Sequence, residues 1–190
     1  MERLIPYNPA ANCKLPPKEK KEMQMIPPEK LGDYLRAAEE RGVLPMFYLE
    51  LTTGLRRGEL LALLWTDLDI EAKTLSVTKQ VHRINGELVV SQPKTQNSIR
   101  TLVLPQQAVD LLVEEHAKHP DNPYMFPSSK TGTMYDPDAF RRIHDKILKT
   151  IDAEHVRFHD MRHLFATLSL KNGVDVKTLS GVLGHYSAGL

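Results

Sequence analysis

The chain has 190 residues, a formal net charge of +1 and a hydrophobic content of 41%, the ordinary composition of a globular domain. The small net charge argues against a uniformly basic nucleic-acid binder, so any anion-binding site must come from local clustering of cations. No apolar run approaches the roughly 18 residues that span a bilayer, and the single cysteine, Cys13, cannot form an internal disulfide. We therefore expect a protein of the reducing cytoplasm.

The first 28 residues have the composition of a linker. They contain six prolines, at positions 6, 9, 16, 17, 27 and 28, with several lysines between them. This composition favours an extended chain, although the lysines could also lie along a phosphate backbone as a basic strap. The sequence therefore predicts a proline-rich linker or arm over residues 1–28 and a single domain over residues 29–190.

Three helices are predicted at the start of this domain. Apolar residues recur at helical spacing in Glu29–Arg41, in Val43–Thr53 and in Arg57–Trp65. Gly42 is typical of a residue that follows the end of a helix. The segment Thr53-Gly54-Leu55-Arg56 is expected to break the chain between the second and third helices.

The periodicity then changes from helical to alternating. Thr74–Thr78 alternates, and Asn85-Gly86 separates two further alternating runs, which is the strongest short-range signal for a β-hairpin. The polar link Gln92–Ser98 follows the hairpin, and we expect it to be an exposed tip that carries Lys94. With Ile99–Leu104 as a third strand, these runs predict a small three-stranded antiparallel β-sheet.

Helices are predicted for most of the remaining chain. The predicted helices run over Gln106–Lys118, from Pro137 to about Thr150, from Phe158 to about Asn172, and over Val176–Leu183. Asp136 and Asp175 have the chemistry of N-cap residues, and a proline directly after Asp136 suits the first position of a helix. The expected fold class is mainly α with a small three-stranded antiparallel β-sheet.

The helix that begins near Phe158 has the first candidate site. His159 and Arg162 stand three residues apart, so they lie on one face of its first turn. Unpaired backbone N–H groups and the positive end of the helix dipole favour an anion there. Arg56, Lys94 and His185 offer similar chemistry elsewhere in the chain, but sequence spacing alone does not show that these side chains meet.

Three short segments resemble the signature boxes of the tyrosine recombinases, nearest to phage and conjugative-transposon integrases. The segments are Thr53-Gly54-Leu55-Arg56-Arg57-Gly58-Glu59-Leu60, His159-Asp160-Met161-Arg162-His163-Leu164-Phe165-Ala166-Thr167 and Leu183-Gly184-His185. Each box alone is a modest signal, but three boxes in the family's order, with a lysine-bearing hairpin between them, form a specific pattern. The resemblance runs from about Glu29 to the C-terminus and implies the catalytic-domain fold of this family.

The resemblance also implies a reaction. In this family a tyrosine attacks a backbone phosphorus, releases a 5′-hydroxyl and leaves a 3′-phosphotyrosyl link, which a partner strand's 5′-hydroxyl later reverses. The family needs neither a metal nor a nucleotide cofactor, because the covalent link stores the bond energy. We therefore expect an enzyme of site-specific DNA recombination that integrates or excises a mobile element, with double-stranded DNA as its partner.

Residue roles follow from the same resemblance. The expected catalytic residues are Arg56, Lys94, His159, Arg162 and His185, with Glu59 in a supporting role. The two arginines would stabilise charge on the phosphate oxygens. Lys94 would protonate the departing 5′-oxygen, for which its pKa must be lowered; Lys79 is a weaker rival for this role. His159 would assist proton transfer at the nucleophile, His185 would donate a hydrogen bond to the phosphate, and Glu59 would orient the cations.

The sequence departs from the family pattern at the nucleophile. In the family the tyrosine lies on a short helix beyond the Gly-His box, whereas Tyr186 is directly adjacent to His185 and too close to match. We expect the nucleophile beyond Leu190, so the chain would be truncated before it and inactive for covalent cleavage on its own. The full-length protein is expected to form a homo-oligomer, a tetramer on DNA, and the truncated chain a monomer.

Three other interpretations remain open from the sequence. The chain could be a non-catalytic DNA-binding or regulatory module derived from a recombinase. It could also be a type IB topoisomerase, whose pocket is the same. Finally, His155, His159 and His163 are spaced at i, i+4 and i+8, which on one helix is a possible metal-binding face.

Overall fold

The computed structural model describes Cys13, residues 24–93 and residues 98–184. The α-helices are α1 (Leu31–Glu39), α2 (Leu44–Thr53), α3 (Arg57–Leu61), α4 (Gln106–Lys118), α5 (Pro137–Thr150), α6 (Phe158–Lys171) and α7 (Val176–Leu183). The strands are β1 (Leu68–Asp69), β2 (Thr74–Val77), β3 (Gln80–Ile84), β4 (Glu87–Ser91) and β5 (Arg100–Val103). Within these ranges, no helix combines the length and the apolar character that a membrane crossing needs. The expected fold class, mainly helical with a small antiparallel sheet, is confirmed.

Most helix bounds match the sequence prediction, but the third helix is shorter than expected. It ends at Leu61 rather than at Trp65. Leu64 is drawn into a β-bridge with Tyr124, and its backbone N–H donates to the Asp67 carboxylate at 2.8 Å. The backbone of Leu64 thus bonds to Tyr124 and to the Asp67 side chain, and not to a further turn of the helix that the apolar spacing predicted.

The strands are distributed over two separate sheets rather than one. The three-stranded sheet has the order β1-β2-β5, and β3 pairs only with β4 among the described strands. The hairpin at Asn85-Gly86 is confirmed, and both residues have a positive φ, 49° and 89°, as a type I′ turn requires. The third predicted strand therefore pairs with β2, through Leu75–Leu102 and Val77–Arg100, and not with the hairpin.

The hairpin is separate from the three-stranded sheet and packs on helix α3. Gly58 lies so close to β3 that a Cβ atom there would stand 2.7 Å from the carbonyl oxygen of Val81. Only a residue without a side chain permits this approach. The hairpin thereby lies against the N-terminal end of α3, next to its N-cap residue Arg56.

The core is continuous from the helices to the three-stranded sheet. Ile26, within the proline-rich segment, is fully buried in it. His144 is also fully buried, and its Nε2 lies 2.8 Å from the Val156 carbonyl oxygen while its Nδ1 lies 2.8 Å from the Tyr34 hydroxyl. Burial lowers the pKa of His144, so the neutral ring donates through Nε2 and accepts from Tyr34. This chain of hydrogen bonds links α1, α5 and the segment that leads into α6.

Helices α2 and α6 pack against each other at the residue that ends α2. Gly54 adopts the left-handed conformation (φ 62°) that commonly terminates a helix. A Cβ atom at this position would lie 2.5 Å from Cδ1 of Phe165 on α6. The close approach brings the start of α3 next to the face of α6 that carries Arg162.

Candidate active site

Glu59 joins two arginines that come from different parts of the fold. Arg56, the N-cap residue of α3, donates from Nη1 to Glu59 Oε1 at 2.7 Å and from its backbone N–H to Oε2 at 2.9 Å. Arg100, at the start of β5, donates from Nη2 to Oε2 at 2.9 Å and from Nη1 to Oε1 at 3.1 Å. Burial alone would raise the pKa of Glu59, but the hydrogen bonds and charge of Arg100, together with the Arg56 contacts, outweigh it and lower the pKa. Glu59 is therefore an anion inside the fold.

Arg162 is a buried cation held between two helix ends. Only 4% of the residue is exposed; its Nη1 donates to the carbonyl oxygen of Gly54 at 2.7 Å and its Nη2 to that of Leu183. These carbonyls terminate α2 and α7, where the helix dipole is negative and favours a positive side chain. Burial, with the charge of Arg56 added, lowers the pKa of Arg162 to about 10, which still leaves the guanidinium charged at neutral pH.

A cavity of about 780 Å³ brings three of the predicted residues together. Arg56, His159 and Arg162 all line it. Burial lowers the pKa of His159, and the charges of His163 and Arg162 lower it further, so its imidazole is neutral at pH 7. The three predicted residues thus contribute two cations and one group able to accept a proton to the cavity wall.

Lys94 and His185, the other two predicted residues, lie outside the described residues. The described residues Ser98, which follows the segment of Lys94, and Gly184 do contact the arginine cluster. The carbonyl oxygen of Ser98 accepts from Arg100 at 3.0 Å, and that of Gly184, directly before His185, lies 3.5 Å from Nη2 of Arg56.

Comparison with known proteins gives the family of this fold. The sequence profile of the phage integrase family matches residues 29–189. The chain belongs to this family. The resemblance to tyrosine recombinases is thereby confirmed.

Two curated relatives and one solved structure illustrate the likeness. The chain is 29% identical to a tyrosine recombinase XerC-like protein of Caldanaerobacter subterraneus, over 97% of this chain and 54% of that protein. It is 31% identical to the ICEBs1 integrase of Bacillus subtilis, over 98% of this chain and 54% of that protein. The Tn1549 transposon integrase, solved in complex with circular intermediate DNA, superposes with a TM-score of 0.79 at 20% identity, over 89% of this chain and 61% of that chain. The chain spans about half the length of these curated relatives.

The rival lysine of this integrase-family chain is engaged elsewhere. The Nζ atom of Lys79 lies 2.7 Å from both carboxylate oxygens of Asp67, and Lys79 does not line the cavity. Asp67 therefore accepts from the backbone N–H of Leu64 in the turn after α3 and also fixes Lys79 there.

The three histidines do not form a row on one helix. Helix α6 begins at Phe158, so His155 precedes it, and His155 Nε2 lies 3.6 Å from Asp145 instead. His159 and His163 are neighbours, with ring centroids 5.3 Å apart. In the parts of the chain that the structure describes, no three histidine, cysteine or acidic side chains are grouped so as to hold a metal ion.

Sequence reasoning missed several basic residues of this site. Arg83, Arg141 and Arg157 also line the cavity, and Arg100 binds Glu59 from outside the cavity wall. A signal for Arg100 was present, since on a strand it shares a face with Leu102, which is buried. An arginine on the inward face of a strand indicates a partner inside the fold that accepts its hydrogen bonds and balances its charge.

Glu50 is a second buried acid near the site, and its chemistry is the opposite of that of Glu59. It is 1% exposed, and neither carboxylate oxygen has a hydrogen-bond partner among the described residues. Burial raises the pKa of Glu50 well above its ordinary value, and the charge of Arg162 only partly offsets this. We infer that Glu50 is protonated in the fold at mildly acidic pH, four residues before the glycine whose carbonyl binds Arg162.

Replacing Glu50 with methionine should therefore flatten the pH dependence of stability. The pKa of Glu50 is higher in the folded chain than in the unfolded chain. The free energy of unfolding is therefore highest below the unfolded pKa, where Glu50 is protonated in both states, and it falls as pH rises through the folded pKa. Between the two pKa values the wild-type chain should lose about 1.4 kcal/mol per pH unit from this group. Urea unfolding from pH 4.5 to 8 measures it. Glu39→Met, at an exposed position of α1, is the matched control, and parallel profiles for Glu50→Met and wild type would contradict the assignment.

Proposed function

We propose that this chain is the catalytic domain of a site-specific DNA recombinase, which integrates or excises a mobile element by cleaving and rejoining DNA strands through a 3′-phosphotyrosyl link. In this proposal residues 29–190 belong to the catalytic domain and residues 1–28 are an arm that leads to it. The observation that supports it best is the convergence of Arg56, His159 and Arg162 on one cavity. Family membership and the likeness to an integrase solved on DNA favour duplex DNA as the partner, in the cytoplasm.

The two arginines suit the stabilisation of a phosphodiester under attack. Negative charge gathers on the non-bridging oxygens during in-line displacement, and fixed donors aimed at those oxygens stabilise it without reorganisation. A guanidinium has five N–H donors. Arg162 uses two nitrogens for the carbonyls of Gly54 and Leu183, so it can hold its position and still have N–H groups for a phosphate.

The proton transfers can be assigned to groups of complementary character. The tyrosine oxygen bonds to phosphorus while its proton passes towards His159, whose imidazole is neutral and can accept it. The bond from phosphorus to the 5′-oxygen breaks, and Lys94 supplies the proton that this oxygen takes up. His185 would donate a hydrogen bond to a phosphate oxygen. No metal or cofactor takes part in this scheme.

The nucleophile is proposed to come from outside the described residues, on a segment beyond Leu190. No tyrosine of the described residues lines the cavity. The Tyr34 hydroxyl is committed to His144, and that of Tyr48 donates to Gln107 at 2.7 Å. The 190-residue chain alone is therefore expected to bind DNA without forming a covalent link, and as a monomer, whereas the full-length protein would act as a tetramer on DNA.

A covalent-trapping experiment tests the proposed function. DNA duplexes that bind the full-length protein are first selected from a random pool. Each selected duplex is then nicked at successive positions, so that cleavage releases a short fragment and traps the protein on DNA. We expect a protein–DNA adduct on a denaturing gel with the full-length protein and none with the 190-residue chain. Arg56→Met should abolish the adduct, while Arg36→Met, at an exposed position whose arginine pairs with Asp33, should leave it unchanged.

Other outcomes would separate the alternatives. Tight, specific DNA binding by the full-length protein without any adduct on nicked substrates would favour the non-catalytic module. Relaxation of supercoiled plasmid without strand exchange between two sites would favour a topoisomerase. Light scattering that gives a stable tetramer of the 190-residue chain without DNA would contradict the proposed monomer.

A further inference from the structure

Arg100 contacts three separate segments of the chain, each at a residue that is close in sequence to a proposed catalytic residue. Its Nη atoms bind Glu59, the partner of Arg56. Its Nε donates to the carbonyl oxygen of Val182 near the end of α7 at 2.6 Å, and Nη1 also donates to that of Ser98 at 3.0 Å. These segments lead to His185 and to Lys94, respectively.

Arg100 itself does not reach the reacting atoms. Its side chain is 7% exposed, and it is not part of the cavity wall. All three of its guanidinium nitrogens are already engaged by protein acceptors. A phosphate in the cavity would meet Arg56 and Arg162, with Arg100 behind them.

Arg100 and Glu59 form a bidentate salt bridge. Two parallel bonds, Nη1 to Oε1 and Nη2 to Oε2, join the two side chains as a fork, which fixes direction as well as distance. The same carboxylate then holds the side chain and the backbone N–H of Arg56. The side chain of Arg56 is 34% exposed, and its orientation is thus set by the buried pair of Glu59 and Arg100.

We propose that Arg100 is a positioning residue, which aligns Arg56 through Glu59 and fixes the backbone at Ser98 and at Val182, from which the chain continues to the proposed residues Lys94 and His185. The inference rests on the proposed function for what the alignment achieves. The alignment itself does not depend on the proposed function, because it concerns only the positions of Arg56 and of two backbone segments. A lysine cannot replace the arginine fully, because a single ammonium has three donors in tetrahedral arrangement and cannot form the fork.

The test compares Arg100→Met and Arg100→Lys with wild type in the full-length protein, with Arg36→Met as the matched control at an exposed arginine. Cleavage is measured in single turnover at saturating DNA, with the ordinary 5′-oxygen and with a bridging 5′-sulfur, a leaving group that needs no protonation. We expect Arg100→Met to lower the rate on the oxygen substrate by about 10- to 100-fold, with a smaller loss on the sulfur substrate. Arg100→Lys should be intermediate.

A purely structural role predicts a different pattern. The loss would then be equal on both substrates, would follow the unfolded fraction measured by urea titration, and would disappear under conditions in which Arg100→Met is fully folded. That pattern, or a wild-type cleavage rate in folded Arg100→Met, would overturn the proposal.

A second readout does not depend on activity. The side-chain Nε–H signal of Arg56 is followed by NMR in the same full-length variants; we expect it to be sharp in wild type and in Arg36→Met and to broaden or shift in Arg100→Met. An unchanged signal would overturn the positioning role. If wild type cleaves no duplex while the Arg56 signal responds to Arg100→Met, the proposed function fails and the alignment by Arg100 stands.

Discussion

Replacing Arg162 with lysine is expected to lower the rate of strand cleavage by about 100- to 1000-fold, the usual loss when one preorganised donor to a developing anion is removed. Lysine keeps the positive charge, but one ammonium cannot bind the carbonyls of Gly54 and Leu183 and still present donors to a phosphate. The measurement is single-turnover cleavage by the full-length protein at saturating DNA, so that weaker binding does not contribute to the loss.

The matched control for this prediction is Arg36→Lys, which changes an exposed arginine in the same way and should leave the rate unchanged. A second comparison is Arg162→Met, which also leaves two helix-terminal carbonyls without their cation and should destabilise the fold by about 2–4 kcal/mol. If folded Arg162→Lys cleaved DNA at the wild-type rate, the role of the guanidinium at the phosphate would be excluded.

Glu59→Ala is expected to destabilise the fold by about 3–5 kcal/mol, the usual cost of removing one partner from a buried ion pair. Two guanidinium groups, Arg56 and Arg100, would lose their common anion, and Arg100 has almost no access to water. Urea unfolding at pH 7 measures the change. Asp33→Ala, which breaks an exposed pair with Arg36 at the same i,i+3 spacing, should cost less than about 1 kcal/mol.

The same substitution should remove an acid-sensitive part of the stability. Because the folded pKa of Glu59 is lowered, its contribution is present above the unfolded value near 4.5 and is lost as pH falls through the folded pKa. Wild type should therefore lose more stability than Glu59→Ala on acidification below about pH 4.5. The double variant Glu59→Leu with Arg100→Met should recover part of the stability that Glu59→Ala loses, because the buried guanidinium of Arg100 is removed together with its anion. Equal acid profiles would contradict the assignment of Glu59 as an anion.

The cations of the site are held together by groups that are not all charged. One carboxylate, Glu59, serves two arginines, and the third arginine, Arg162, is compensated by the carbonyl ends of α2 and α7. Burial is the main cause of the lowered pKa of Arg162, and repulsion from Arg56 and Arg100 adds to it. The arrangement maintains a positive cavity in a chain whose net charge is only +1, which explains why composition gave no indication of an anion site.

The sequence by itself determined the local elements, because their causes are local. Helices α4, α5 and α7 begin and end where the periodicity and the caps predicted, and Asp136 accepts from the backbone N–H groups of residues 138 and 139 as an N-cap should. Asn85-Gly86 formed the expected turn, and the placement of His159 and Arg162 on one face near the start of α6 followed from helical spacing alone.

Only the tertiary structure decided which of these elements meet. The end of α3 at Leu61 and the pairing of β5 with β2 depend on partners far away in the chain, which periodicity does not encode. Arg162 binds the carbonyl of Gly54 across a separation of 108 residues, and family resemblance, not spacing, was the reason to expect Arg56 beside it. The strand spacing of Arg100 and Leu102 could show that Arg100 faces inward, but its role needed the fold, since it lies in hydrogen bonds to three segments that packing brings within reach.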